Sequence, residues 1–321
     1  MATETVGSGQ AAPDSTTSAG PGDDAPAWFT DAVAVVPETL DIDLGGRNIR
    51  AYRWGDPRHR PVVLLHGAGA NAHWWDHIAP LLVAPGLQVV TVDLAGHGSS
   101  DYCAEYTFAD WADDVMAVCA AFSDQKPLLI GHSAGGRVAW KAAERYGRDL
   151  RGIVTVDSSL PLPAAQNRRG RIWPGQHRVY RDHDAIIRHF RLTPDQPGTL
   201  PFVLRHIAQR SVRKVEHGWT WSHDVNIHRR RQTEAMAAEP LDCPVFVLRA
   251  EHGITEETAA ASVRRLVPSM VICTIPEAGH HVMLDQPLAL TGLLRLITDL
   301  LTAGAGQAAR GETDNDAVCR P

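Results

Sequence analysis

Apolar positions along the chain follow two rhythms. From Thr39 to Leu44 they alternate with polar ones, Gly45-Gly46 follows, and Asn48 to Trp54 resumes, which predicts a β-hairpin. Beyond it the runs become continuous: Pro61 to Leu65, Gln88 to Val92, Pro127 to Ile130, Gly152 to Val156, Pro244 to Leu248 and Val271 to Ile275. Strands without alternation are covered on both faces, so the sheet is expected to be mostly parallel. Helical patterns separate the runs at His73 to Val83, Thr107 to Phe122, Ala134 to Tyr146 and Pro287 to Leu301, and Thr107 with Asp110 reads as a capping pair. Such alternation predicts right-handed βαβ units and an α/β fold.

Residues 158–240 break the rhythm. They hold no buried strand run, but carry helix-like pieces at Asp182 to Phe190 and Leu200 to Arg213, many Arg and His, and Trp173, Trp219 and Trp221. This stretch is expected to be a helical lid inserted into the sheet domain, the alternative being a long basic surface excursion. The α/β core then comprises residues 29–157 and 241–303. Residues 1–28 and 304–321, rich in small and polar residues, are expected to be disordered tails.

Composition narrows the function. The 321 residues are 44% hydrophobic and 21% charged with a formal net charge of −6, which suits a soluble globular protein and argues against a nucleic-acid surface. No apolar run approaches the roughly 20 residues that span a bilayer, and the N-terminus lacks the basic-then-apolar order of a secretion signal. Cys103, Cys119, Cys243, Cys273 and Cys319 match neither a zinc spacing nor a pairing framework. Cys119, Cys243 and Cys273 fall in apolar stretches and read as small buried hydrophobes. Together these features suggest a cytoplasmic protein without metal or cofactor, acting on a small molecule. They leave its oligomeric state open.

The chemistry concentrates where strands end. Gly131-His132-Ser133-Ala134-Gly135-Gly136 follows one strand and opens one helix, the context of a nucleophile elbow. Small neighbours leave room for a strained serine backbone beside a crowded strand and helix. The serine then stands at a helix N-terminus, which favours negative charge. A hydroxyl needs a base. Among sixteen histidines, His280 in Ala278-Gly279-His280-His281 follows the last predicted strand and is the first choice, with His281 the alternate. The glycine-rich loop His66-Gly67-Ala68-Gly69 after the first parallel strand offers the Ala68 N–H, and Ala134 offers a second, for a developing oxyanion.

Leu65-His66-Gly67, Asp93-Leu94-Ala95-Gly96-His97-Gly98, the Gly131–Gly136 elbow and Ala278-Gly279-His280 occur in an order that resembles the α/β-hydrolase superfamily, over roughly residues 38–303. The closest likeness is to lid-bearing bacterial esterases, lactonases and carbon–carbon hydrolases. It implies Ser133 as nucleophile, His280 as base, Ala68 and Ala134 as oxyanion donors, and catalysis without a cofactor. It also admits cofactor-free perhydrolysis. Four motifs in sequence specify the fold far better than the substrate.

One departure stands out. Many members carry the triad acid after the strand matching Pro244 to Leu248. Here the stretch reads Arg249-Ala250-Glu251-His252-Gly253, with glycine in the aspartate's slot. Asp157, ending the preceding strand, is the favoured acid and Glu251 the alternative. Asp93 and Asp285 read as loop braces. Trp74, Trp75, Trp219 and Trp221 either line an apolar pocket or pack lid against body. The expected function is serine-dependent hydrolysis of an ester, lactone or related carbonyl. The alternatives are a non-catalytic binding protein on the same fold and a biosynthetic thioesterase or cyclase.

Overall fold

The computed structural model describes residues 25–161, 178–231 and 239–314. Ten strands are present among them: β1 (Glu38–Asp43), β2 (Asn48–Trp54), β3 (Arg60–Leu65), β4 (Leu87–Val92), β5 (Leu128–His132), β6 (Gly152–Val156), β7 (Val212–Val215), β8 (Gly218–Trp221), β9 (Val245–His252) and β10 (Val271–Gly279). Eight of them form one sheet in the order β1-β2-β4-β3-β5-β6-β9-β10. Strand β2 is antiparallel to β1 and β4, and the remaining pairs are parallel.

The continuous apolar runs serve two cores at once. On β3, Val63 and Leu65 face one buried cluster while Val62 and Leu64 face the other. On β5, Leu129 joins the first, and Leu128 and Ile130 the second. A period of two along a strand requires this when both faces are covered. The first face is covered by α3 (Phe108–Phe122), α4 (Ala134–Tyr146) and α8 (Glu257–Leu266). The second is covered by α1 (Ala27–Ala34), α2 (Ala79–Leu82), α6 (Pro201–Arg210), α9 (Val282–Asp285) and α10 (Pro287–Asp314). Thr107 caps α3, its Oγ1 accepting the Asp110 N–H at 2.9 Å.

Several expectations need correction. The helix expected over His73 to Val83 is instead a 3₁₀ turn, Ala72–Trp75, followed by the separate α2. A continuous helix would place Pro80 in its interior, where the ring removes a hydrogen bond. Restarting the helix puts Pro80 in a first turn, where the missing N–H is harmless. The chain is ordered from before residue 29: α1 starts at Ala27, and Trp28 packs on Phe202 at 6.1 Å. The last helix runs past residue 303 to Asp314. Cys273, on edge strand β10, is only half-buried, whereas Cys119 and Cys243 are buried.

Between residues 178 and 231 the chain is not wholly helical. Short helices α5 (His183–Ile187), α6 and α7 (Ile227–Arg230) accompany the antiparallel hairpin β7–β8, and α6 ends at Arg210 rather than Arg213. β-branched Val212 and Val215 facing Trp221 and Gly218 favour strand pairing. This segment is stitched to loops at the sheet's C-terminal edge. Asn71 Nδ2 donates to the Arg210 carbonyl at 2.8 Å, Asp224 N–H to the Gly96 carbonyl at 2.7 Å, and Leu200 N–H to the Leu284 carbonyl at 2.9 Å. Trp173, Cys319, most of the expected N-terminal tail and part of the 158–240 stretch lie outside the described residues.

Candidate active site

Ser133 sits between β5 and α4 with φ 52° and ψ −114°. That left-handed conformation costs a non-glycine residue about 1–3 kcal/mol and persists only where surroundings impose it. Two glycines make the turn possible. A Cβ on Gly131 would lie 2.1 Å from the Gly135 carbonyl oxygen, and one on Gly135 would lie 2.4 Å from that of Leu65. The Ser133 N–H bonds the Val156 carbonyl at 3.0 Å, and Ser158 Oγ donates to the Ser133 carbonyl at 2.6 Å, which ties the elbow to the end of β6.

His280 follows β10 and is 5% exposed. Its Nε2 lies 3.1 Å from Ser133 Oγ and its Nδ1 2.7 Å from Asp157 Oδ2. An ionised carboxylate only accepts, so Nδ1–H donates to Asp157 and the Nε2 lone pair is left facing the hydroxyl. Asp157 has no exposed surface and also takes up positive φ, 39°. Burial opposes its charge. The His280 donor and the Ile254 and Thr255 N–H groups outweigh burial and hold its carboxyl below the ordinary value. Those N–H groups approach at 2.7 and 3.2 Å, and Ala250 N–H at 3.2 Å.

The two candidate acids separate clearly. Glu251 is exposed and its Oε2 accepts the Glu277 N–H at 2.8 Å, while Asp157 holds the imidazole. Gly253 explains the altered motif, because a Cβ there would lie 2.2 Å from Asp157 Oδ2. The carboxylate from β6 fills the space in which a side chain after β9 would start.

The Gly67 loop rests against the elbow: a Cβ on Gly67 would meet Ser133 Cβ at 3.3 Å. His66 fixes that loop, with Nδ1–H donating to the Gly67 carbonyl at 2.8 Å and Nε2 accepting the Leu94 N–H at 3.1 Å. Ala68 is exposed beside it, and Ala134 begins α4, where the first N–H groups have no partner within the helix. Asp93 braces the neighbouring turn by accepting the N–H groups of Ala72 and Ser99 at 2.7 and 2.9 Å. Asp285 accepts the Gly279 N–H at 2.6 Å.

The tryptophans divide. Trp74 lies 5.5 Å from His281 and 6.4 Å from Phe190, which in turn lies 6.1 Å from Trp221. Trp75 has no exposed surface and packs in the core beneath the loop. Trp219 packs on His183 at 4.7 Å. Phe190 and Gln196 escaped sequence reading. Gln196 donates to Asp285 Oδ2 at 2.8 Å and accepts the His281 N–H at 2.7 Å, bracing the histidine loop across 85 residues. Nothing local in the sequence signals such a contact. His281 packs beside His132, with ring centres 5.6 Å apart. Burial and neighbouring His280 press its pKa down to about 4, against weak opposition from the Pro194 and Thr193 carbonyls.

Comparison with known proteins agrees with the fold. A family model described as alpha/beta hydrolase fold matches residues 60–287. The esterase Rv0045c of Mycobacterium tuberculosis is 26% identical over 283 residues, covering 82% of this chain and 90% of that protein. A pimeloyl-[acyl-carrier protein] methyl ester esterase of Neisseria meningitidis serogroup B is 30% identical over 247 residues, covering 74% of this chain and 92% of the relative. The solved thioesterase domain from the curacin biosynthetic pathway superposes with a TM-score of 0.68 at 21% identity, covering 81% of this chain and 99% of that one. The matched family model and the esterase relatives place this chain in the α/β-hydrolase family, as a carboxylic ester hydrolase.

Proposed function

We propose that the enzyme cleaves a medium-sized, partly hydrophobic carboxylic ester through an acyl-enzyme on Ser133. The Ser133–His280–Asp157 hydrogen-bond chain, 3.1 and 2.7 Å long, carries this reading. His280 Nε2 takes the hydroxyl proton as Oγ attacks the carbonyl carbon. The oxyanion develops against the N–H groups of Ala68 and Ala134, and Asp157 stabilises the imidazolium. The tetrahedral intermediate expels the alcohol, which receives the proton from His280. Water, deprotonated by the same nitrogen, then releases the acid and restores Ser133.

Trp74, Phe190 and Trp221 offer an aromatic wall between the oxyanion loop and the 178–231 segment, which acts as the lid. This supports an apolar acyl or alcohol group. The carboxylate in the space at Gly253 speaks for catalysis against a purely binding role. Turnover of p-nitrophenyl butyrate tests the proposal. Ser133→Ala is expected to lower kcat by at least about 10³-fold while leaving stability within about 0.5 kcal/mol. Fluorophosphonate labelling followed by peptide mapping is expected to find the adduct on Ser133. Retained turnover in the variant, or an adduct elsewhere, refutes the assignment.

A further inference from the structure

The elbow and the base loop bring together more imidazoles than hydrolysis requires. His132, His280 and His281 each place one ring nitrogen within 4.8 Å of the other two. All three are buried, at 1%, 5% and 5% exposure. Their ring centres are 4.8, 4.8 and 5.6 Å apart, with planes inclined by 42° to 56°. An imidazole nitrogen binds zinc at about 2.0–2.1 Å, so two rings at a tetrahedral angle have centres about 5 Å apart. The three histidines already stand at that spacing.

Their hydrogen bonds match the same role. His132 Nε2 meets the His280 carbonyl at 2.9 Å. A carbonyl only accepts, so the proton is on Nε2 and the Nδ1 lone pair is bare. That Nδ1 is buried without a hydrogen-bond partner among the described residues. The buried His281 ring has only loose contact with the Pro194 and Thr193 carbonyls, which engage at most its N–H and leave its other nitrogen's lone pair bare. His280 presents the carboxylate–histidine arrangement that orients metal ligands, with Asp157 on Nδ1 and the lone pair on Nε2. Unpartnered buried imidazole nitrogens are costly unless something else satisfies them.

We propose that His132, His280 and His281 form an inhibitory site for a borderline divalent transition metal such as Zn²⁺, each contributing one ring nitrogen. Capture of the His280 lone pair removes the base, so metal binding and turnover exclude each other. Binding stands on the histidine geometry alone, whereas inhibition rests on the hydrolytic reading above. No redox step is involved; the metal exchanges water for imidazole.

Isothermal titration of the full chain with Zn²⁺ tests binding without reference to activity. One high-affinity equivalent is expected in the wild type and in Ser133→Ala. His281→Gln and His132→Gln, with unchanged circular dichroism, are each expected to weaken binding at least about tenfold. His252→Ala, in the exposed Glu251–His252–Glu277 cluster, serves as the control and is expected to change nothing. The Zn²⁺ inhibition constant for p-nitrophenyl butyrate is expected to equal the binding constant and to shift with it in His281→Gln. Should the histidine variants fold poorly, zinc X-ray absorption of the wild-type complex decides, with three imidazole ligands expected. Binding that survives both core substitutions, disappears in His252→Ala or shows no imidazole scattering overturns the site. Zn²⁺ binding with the expected variant pattern in an enzyme without esterase activity upholds the site and fails only the hydrolytic reading.

Discussion

At the scale of single residues, the exchange between Asp157 and Gly253 governs the site. The carboxylate has moved one strand inward, and glycine keeps its volume free. Gly253→Ala is therefore expected to displace Asp157 and with it His280, lowering kcat at least about 10²-fold, since misplacements of about 1 Å cost that much. Asp157→Asn is expected to cost kcat about 10⁴-fold in the same p-nitrophenyl butyrate assay, through loss of the correct histidine tautomer. The lowered Asp157 pKa also has a pH signature. A depressed carboxyl contributes stability above its unfolded value of about 3.9, lost as pH falls through the folded value. Thermal melts below about pH 4 are expected to be steeper in pH for the wild type than for Asp157→Asn. The serine was legible because its small neighbours are contiguous with it. The acid was left between two candidates because its amide donors, Ala250, Ile254 and Thr255, lie 93 to 98 residues away.

At the scale of elements, local chemistry reads out where it is self-contained. Thr107 and Asp110 sit three residues apart and cap α3. Thr107→Ala is expected to cost about 1 kcal/mol in urea denaturation, without effect on KM. The parallel strands were legible for the same reason, since each run alone meets the demand of two buried faces. The β7–β8 hairpin was not. Its two-residue connection, Glu216-His217, lacks the Asn-Gly or Asp-Gly signature, and its strands are only four residues long. A helical pattern running up to Arg213 masks where α6 stops. The break within residues 73–83 was signalled by Pro80, which a periodicity count alone overrides.

At the scale of the whole molecule, a buried ionic clasp joins the 178–231 segment to the core. Asp76 accepts from His206 Nε2 on α6 at 2.9 Å and from His73 Nδ1 at 3.1 Å. Burial opposes the Asp76 charge, but both histidines hold the carboxyl well below its ordinary range. Burial and the Arg210 guanidinium both oppose His73⁺; Asp76, and more distantly Asp93, outweigh them and raise its pKa. A raised histidine contributes stability that is complete below the unfolded value of about 6.5 and lost as pH rises through the folded one. The advantage of the wild type over Asp76→Asn is therefore expected to be about 3–5 kcal/mol near pH 6 and to shrink as pH climbs above about 6.5. Calorimetry from pH 5 to 9 checks both. Among the described residues no helix is long and apolar enough to cross a membrane.

The inward position of the acid also divides the molecule unequally. Hydroxyl, proposed oxyanion amides and carboxylate all arise before residue 161, whereas the part beginning at β9 brings the imidazole and the three amides that cradle Asp157. Severed in two after Pro161, the chain is expected to give halves that are each inert toward p-nitrophenyl butyrate, with turnover returning only where β9 again lies against β6. Output of this kind would report proximity between whatever the two halves are joined to.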